Sequence, residues 1–290
     1  MKFGLSLPYG AGVAGDPEWM RSFVADAEAS GFESVYLVEH IVMVDGHRDV
    51  YPYAESGRVP LRNDCAIPDP IDVLCYLAAV TDRIRLGTSV LVAPHHHPLM
   101  LAKRLATLDL YSSGRAMVGL GVGWMREEIE ACGGRFDCRG RQTDELIDAM
   151  RAAWNESPAN FHGEYFSFEG AMSYPKPLQP GGVPIHIGGH SMAAARRAGL
   201  RGDGFQPLGV TGDDLARRMV EMRRSAESVG RDPDAIELTL RGSLASIDEA
   251  AVEAIRAAGA HRVILSCTTA ELERLAEQMW AVSALMDVIG

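Results

Sequence analysis

The feature that most constrains the fold is a rhythm. Short β-prone apolar runs alternate with amphipathic ones along nearly the whole 290-residue chain. KFGLSLP reads as a first strand, followed by a helix from Asp16, an N-cap with Pro17 in the first helical position, to Ser30. SVYLVEH, RIRLGTSVLV, RAMVGLG, VPIHIGG, DGFQPLG, AIELTLR and RVILSCT supply the further strand candidates, almost all with a helix behind them. Eight such units predict an α/β chain folded as one (β/α)8 TIM barrel over residues 1–290, with insertion segments. A doubly wound open sheet is the rival, but it would favour a dinucleotide fingerprint after the first strand, and LPYGAGVAG approximates one only loosely. The number of units decides for the barrel.

Two stretches break the rhythm. Residues 41–68 form a polar excursion too long for a barrel turn, expected to be a lid or insertion. Residues 161–182 combine a surface hairpin, FHGEYFSFEG, with a rigid connector, PKPLQPGG. Between them PIDVLCYLAAVTD reads as a helix capped by Asp69, and residues 98–111 as a helix with Leu99, Ala102, Leu105 and Ala106 on one face.

Composition removes several classes of function. With 28 basic against 39 acidic residues, the net charge of −11 argues against a nucleic-acid surface. Five cysteines without a CxxC pair argue against a disulfide framework or structural zinc, and favour a reducing cytoplasmic setting. No run approaches a membrane span. A small-molecule substrate is expected, with no nucleic acid and no membrane as partner.

In a barrel the chemistry sits at the C-terminal strand ends. Strand two ends in Glu39 and His40, and strand three in Thr88 and Ser89, followed by Val90 and then His95, His96 and His97. Adjacent residues of an extended segment point opposite ways, so these histidines do not converge on one ion. No metal site is expected; a polar loop entering the helix behind Pro98, or contact with a cofactor or substrate, fits them better. A glycosidase would need two facing carboxylates, but strand four ends in Gly121, Gly123 and Trp124, and Glu237 begins its strand. Gly188 and Gly189 end strand five just before a helix opened by Ser191 and Met192. Such glycines either admit a phosphate to bare amides or relieve crowding in a narrow barrel. Strand seven offers Arg241.

The run RIRLGTSVLVAPHHHPLMLAKRLATLDLYSSGRAMVGLGVGWMREEIEACG, with FDCRGRQTDELIDAM, PKPLQPGGVPIHIGG and RRAGLRGDGF in order after it, resembles the luciferase-like monooxygenase superfamily. It is closer to the branch that uses the deazaflavin coenzyme F420 than to bacterial luciferase. The resemblance implies a cofactor-binding barrel, usually dimeric, with His40 near the reactive ring and Glu39 beside it. It sets Thr88, Ser89 and Val90 beneath the ring, where many relatives have a non-prolyl cis peptide. Gly121, Gly123, Gly188, Gly189, Ser191 and Met192 complete the implied cofactor site, and Trp124, His95, Tyr51 and Tyr53 the substrate pocket. Relatives that oxidise a sugar phosphate carry a glutamate where this chain has Trp124 and an asparagine near Glu127, so the resemblance stops short of that substrate. It implies hydride transfer at deazaflavin C5. The alternatives are an FMN monooxygenase fed by a separate flavin reductase, since no NADH site is evident, and a flavin-binding barrel without catalysis.

Overall fold

In the computed structural model, which describes residues 1–289, the alternating pattern closes on itself. The elements in chain order are β1 (Lys2–Ser6), α1 (Pro17–Ala29), β2 (Ser34–Leu37), α2 (Pro70–Ala78), β3 (Arg85–Thr88), β4 (Leu91–Val92), α3 (Pro98–Tyr111), β5 (Ala116–Gly121), α4 (Arg126–Ala131) and α5 (Arg139–Asn155). They continue with β6 (Ala159–His162), β7 (Ser167–Ala171), β8 (Ile185–Gly188), α6 (Met192–Arg201), β9 (Gly204–Gln206), α7 (Gly212–Glu227), β10 (Glu237–Ser243), α8 (Glu249–Ala257), β11 (Arg262–Ser266) and α9 (Leu272–Ile289). The strands pair in the order β3–β2–β1–β11–β10–β9–β8–β5–β4, all parallel, and β3 also pairs with β5 to close the barrel. Only β6 and β7 stand apart, as the antiparallel surface hairpin.

Local chemistry sets the helix starts. The Asp16 carboxylate accepts the amides of Glu18 and Trp19 at 3.0 and 3.2 Å, and Asp69 does the same for Ile71 and Asp72 at 2.9 and 3.1 Å. Each is followed by a proline whose missing N–H needs no partner in the first turn. Behind its cap α1 buries Trp19, Met20, Phe23, Val24 and Ala27, a helical stripe facing the strands.

Two elements differ from the sequence expectation. The helix expected to reach Asp82 ends at Ala78. Thr81 Oγ1 donates to the Leu77 carbonyl at 2.7 Å, and the Glu28 carboxylate collects the amides of Asp82, Arg83 and Ile84 at 3.1, 2.6 and 2.7 Å, turning the chain into β3. The run RIRLGTSVLV is not one strand but two, β3 and β4. Gly87 faces Met117, yet Leu91 faces Leu120, so four steps on one side match three on the other. The surplus residue is taken up at Ser89–Val90, whose peptide is cis.

The floor of the barrel is ionic. Arg262 is fully buried and donates to Glu33 at 2.9 and 3.0 Å and to Glu237 at 2.8 Å, while Lys2 also pairs with Glu237. His186 lies above this cluster, buried, with Nε2 3.9 Å from Glu237 Oε2. Burial, helped by the Arg262 charge, pushes the His186 imidazole down from 6.5 to about 4. The sign follows directly: between these values the unfolded chain holds the extra proton, so stability falls as pH drops through 6.5 towards 4. At about 1.4 kcal/mol per pKa unit the loss is on the order of 3 kcal/mol. We expect His186→Asn, whatever its own cost, to lose clearly less stability than the wild type between about pH 7 and about pH 4.5 in urea unfolding. Equal losses would show that His186 does not set this slope.

Candidate functional site

Beyond the C-terminal ends of β1, β2 and β11, and bordered by the segment that follows β2, lies a cavity of about 550 Å³, walled by apolar side chains such as Leu7, Val38 and Leu61 and reached by His40 and Tyr51. His40 and Glu39 leave β2 in opposite directions. His40 Nδ1 lies 2.9 Å from Glu128 Oε2, and the other oxygen of Glu128 accepts the Ile41 and Val42 amides at 2.7 and 3.3 Å. Glu128 is buried on α4. A carboxylate can only accept, so Nδ1 carries the hydrogen and Nε2 is left as the acceptor. Glu128 is the residue that the sequence reading missed.

Glu39 instead faces the histidine loop. Its carboxylate accepts the Val92 amide at 2.6 Å, lies 2.9 Å from His96 Nε2 and 3.7 Å from His95 Nδ1. Burial would raise this carboxyl, but His95, His96 and the Val92 amide outweigh it and hold it at about 2. Of the three histidines, only His97 is exposed, and its Nδ1 accepts the Leu99 amide at 3.3 Å to start α3. Among the described residues no group of three or more His, Cys, Asp or Glu side chains is arranged to hold a metal.

The β3–β4 break follows the C-terminal end of β3. Thr88 is buried and its hydroxyl both donates to the Gly119 carbonyl and accepts the Gly119 amide at 3.0 Å, stitching β5 where the strand pairing shifts. Val90 reaches across β5 to β8. A Cβ at Gly121 would come within 2.6 Å of Val90 Cγ2, and one at Gly188 within 2.5 Å of Val90 Cγ1. At Gly121 and Gly188 any side chain would therefore crowd Val90. Ser89 donates to Gln206 Oε1 at 2.9 Å and accepts from Arg241 Nη2 at 2.5 Å.

Over the mouth runs a chain of edge-to-face rings. His40 meets Trp124 at 6.1 Å, Trp124 meets Tyr51 at 5.2 Å, Tyr51 meets Tyr53 at 5.3 Å, and Tyr53 meets His190 at 5.3 Å. Tyr51 and Tyr53 belong to the segment between β2 and α2, which contains no strand or helix. That segment thus touches the loops after β5 and β8. Gly123 and Gly189 turn those loops at φ 76° and 129°.

At the β8 end, Ser191 caps α6 by accepting the Ala194 amide at 3.1 Å, and its carbonyl takes the Ala195 amide. Helix geometry leaves the amides of Met192 and Ala193 as orphan donors beside a partial positive charge. Arg218 adds its guanidinium there, donating to the His190 carbonyl at 2.5 Å and to Asp214 Oδ1 at 3.1 Å, and His190 Nδ1 is buried without a partner. Amides, a cation and an unsatisfied ring nitrogen at one helix start fit an anionic tail. The partly exposed apolar side chain of Val90 fits the face of a planar ring. The residues present are therefore suited to a phosphate-bearing ring cofactor.

The luciferase-like monooxygenase family model matches residues 1–284. An uncharacterised protein of Mycobacterium tuberculosis is 36% identical over 162 residues, 56% of this chain and 57% of that protein, so the chain spans little more than half the length of these curated relatives. An F420-dependent glucose-6-phosphate dehydrogenase of Kineococcus radiotolerans is 30% identical over 248 residues, 82% of this chain and 67% of that one. Among solved structures, a monooxygenase from Streptomyces bottropensis superposes with a TM-score of 0.79 over 100% of both chains at 22% identity, a likeness of fold.

The packing of Val90 is open to test. Gly188→Ala should cost about 1–3 kcal/mol, because the added methyl overpacks the Val90 contact. In a Val90→Ala background the same change should cost much less, giving a coupling of about 0.5–3 kcal/mol in a double-mutant cycle read by urea unfolding. Additive costs would mean that the two side chains do not compete for the same space.

Proposed function

Since the chain belongs to the luciferase-like monooxygenase family, we propose that it is an F420-dependent oxidoreductase, moving a hydride between deazaflavin C5 and a small organic substrate. The observation that carries this reading is the His40–Glu128 pair at the wall of the cavity. Kinship with an F420-dependent dehydrogenase supports the choice of cofactor.

The deazaflavin, when bound, supplies a two-electron hydride acceptor or donor. The chain supplies binding, orientation and a place for a proton. Val90, with Gly121 and Gly188 around it, would support the ring; Ser191 and Met192 at the start of α6, with Arg218 nearby, would hold the phosphate end. His40 handles the proton. When a carbinol carbon gives up a hydride, its oxygen must release H⁺ as the carbonyl forms. With Nδ1 hydrogen-bonded to Glu128, Nε2 has the lone pair that accepts this proton, and returns it in the reverse direction. Tyr51 and Tyr53 cover the substrate and exclude water. Trp124, edge-on to His40, makes this part of the mouth more apolar than a sugar phosphate requires.

A titration of purified protein with oxidised F420 and, separately, FMN tests the cofactor, followed by fluorescence and visible absorbance. Saturable F420 binding without FMN binding is expected. FMN binding alone would replace the proposal with an oxygen-using monooxygenase served by a separate reductase, and binding of neither would remove the cofactor assignment.

The role of His40 is tested by turnover with an alcohol or enone found by screening. His40→Ala should lower kcat by about 10²–10⁴-fold while changing cofactor Kd little. Glu128→Gln presents an amide N–H to Nδ1 and reverses the tautomer, so kcat should fall by at least about 10²-fold without loss of fold. Unchanged kcat in both variants would exclude His40 as the proton carrier.

A further inference from the structure

Arg241, near the C-terminal end of β10, is a charged group to which the proposed function gives no role. It sits on β10 with the same parity as Thr239, a buried residue whose hydroxyl has no partner, while Leu238 and Leu240 between and before them pack in the main core. That alternation turns Thr239 and Arg241 to the barrel interior. The guanidinium donates to Ser89 Oγ at 2.5 Å, a neutral hydroxyl. Among the described residues no carboxylate lies within ion-pairing distance of it.

Its electrostatic surroundings are phenols: Tyr36, Tyr51, Tyr53 and Tyr9. Burial pushes all of these hydroxyls up, Tyr36 and Tyr53 to about 12, so they remain neutral and offer no counter-charge. Burial correspondingly pulls Arg241 down from its ordinary value. Arg241 is half-buried, and a guanidinium partly withdrawn from water without an anion is costly, while one serine uses only part of its planar fork of five N–H groups. Arg262 is matched by two glutamates, and Arg197 donates to Asp144 at 2.6 Å. Arg115 has no carboxylate either, but five hydrogen bonds to the Ser112, Ile84, Ala78 and Thr81 carbonyls and the Thr81 hydroxyl fill its guanidinium. Arg241 has neither an anion nor such a cage, and it lies near the two tyrosines of the covering segment, apart from the helix start at α6 that Arg218 serves.

We propose that Arg241 is the receptor for a carboxylate on the substrate, so that the preferred substrates are small organic acids with an apolar body. The apolar walls of the cavity take the body, and the planar fork takes the carboxylate in two parallel hydrogen bonds. This deepens the oxidoreductase reading and rests on it for the meaning of "substrate", but the binding itself does not require the cofactor.

The test uses cofactor-free full-length protein and two probes of one shape, 4-fluorobenzoate and 4-fluorobenzamide, followed by fluorine NMR line broadening. The wild type should bind the acid at least about tenfold more tightly than the amide. Arg241→Met should abolish that preference, and Arg241→Lys should keep part of it. The thermal midpoint is the second readout. Because the native cation is uncompensated, Arg241→Met should hold or raise the Tm of the cofactor-free protein, whereas an arginine kept for structure would lower it. Equal affinity for acid and amide in the wild type would overturn the proposal. So would an unchanged preference in Arg241→Met, or a lowered Tm in folded Arg241→Lys and Arg241→Met alike. If Arg241→Met weakened only the reduced, anionic form of F420 and left the acid preference intact, the arginine would be the counter-ion of the ring and the substrate assignment would fall. Failure of F420 to bind at all would strike the oxidoreductase reading while leaving the acid-binding result standing.

Discussion

One surplus residue between Gly87 and Leu91 has to be stored somewhere, and most of the mouth follows from where the barrel stores it. Adjacent parallel strands cannot absorb an unmatched residue within their ladder, so the chain leaves register at Ser89 and Val90 and resumes as β4. Thr88 replaces the lost backbone pairing with its hydroxyl, giving and taking a hydrogen bond at Gly119. Val90 then occupies space that side chains on β5 and β8 would claim, which is why Gly121 and Gly188 carry none. Ser89 is brought between Gln206 and Arg241, linking the break to β9 and β10. One local mismatch thereby bears on residues of five strands, β3, β5, β8, β9 and β10.

The two ends of the barrel treat charge in opposite ways. At the floor, Arg262 is surrounded by Glu33 and Glu237, with Lys2 balancing the second glutamate, and every charge has its partner. Removing one member of such a buried set leaves the others uncompensated, at a cost of about 3–5 kcal/mol. At the mouth, carboxylates are spent on histidines: Glu39 on His96 and Glu128 on His40. Arg241 receives nothing. Barrels generally keep stability at the N-terminal face of their strands and chemistry at the C-terminal face.

The sequence revealed the barrel because the barrel is a repetition of short-range signals. Asp16–Pro17 and Asp69–Pro70 mark helix starts that need no tertiary information, and the helix at 98–111 is bounded as its pattern implies. The strand break was hidden since RIRLGTSVLV is apolar throughout, and hydrophobic patterning carries no record of a neighbour's register. The early end of α2 was hidden for a related reason: Glu28, which collects the amides of Asp82 to Ile84, is far away in sequence. Glu128 is harder still. In MREEIEAC three glutamates share a short helix that reads as a solvated face, and only the fold distinguishes Glu128, buried against His40, from Glu127, which pairs with Arg48 at 3.0 Å. Arg241 was visible at a strand end, but its lack of an acidic partner is a fact about the whole chain and could not be read from its own segment.

The covering segment between β2 and α2 ties these parts together mechanically. Arg48 anchors it to Glu127 and Tyr51 to Trp124, both beyond β5, while Tyr53 rests on His190 beyond β8. His40, through Trp124, is at one end of this line of rings, and the helix start suited to an anionic tail is at the other. A substrate displacing Tyr51 or Tyr53 would therefore alter contacts at both ends at once. Edge-to-face pairs are worth only about 0.5–1.5 kcal/mol each, so such displacement is within reach of ordinary binding energy. Tyr51 borders the cavity together with His40, and Tyr51 and Tyr9, which also lines it, both feel the charge of Arg241, so a proton acceptor and a cation lie close to the same space. An organic acid that is also an alcohol or ketone would use both, with the cation fixing its orientation before His40 meets its oxygen.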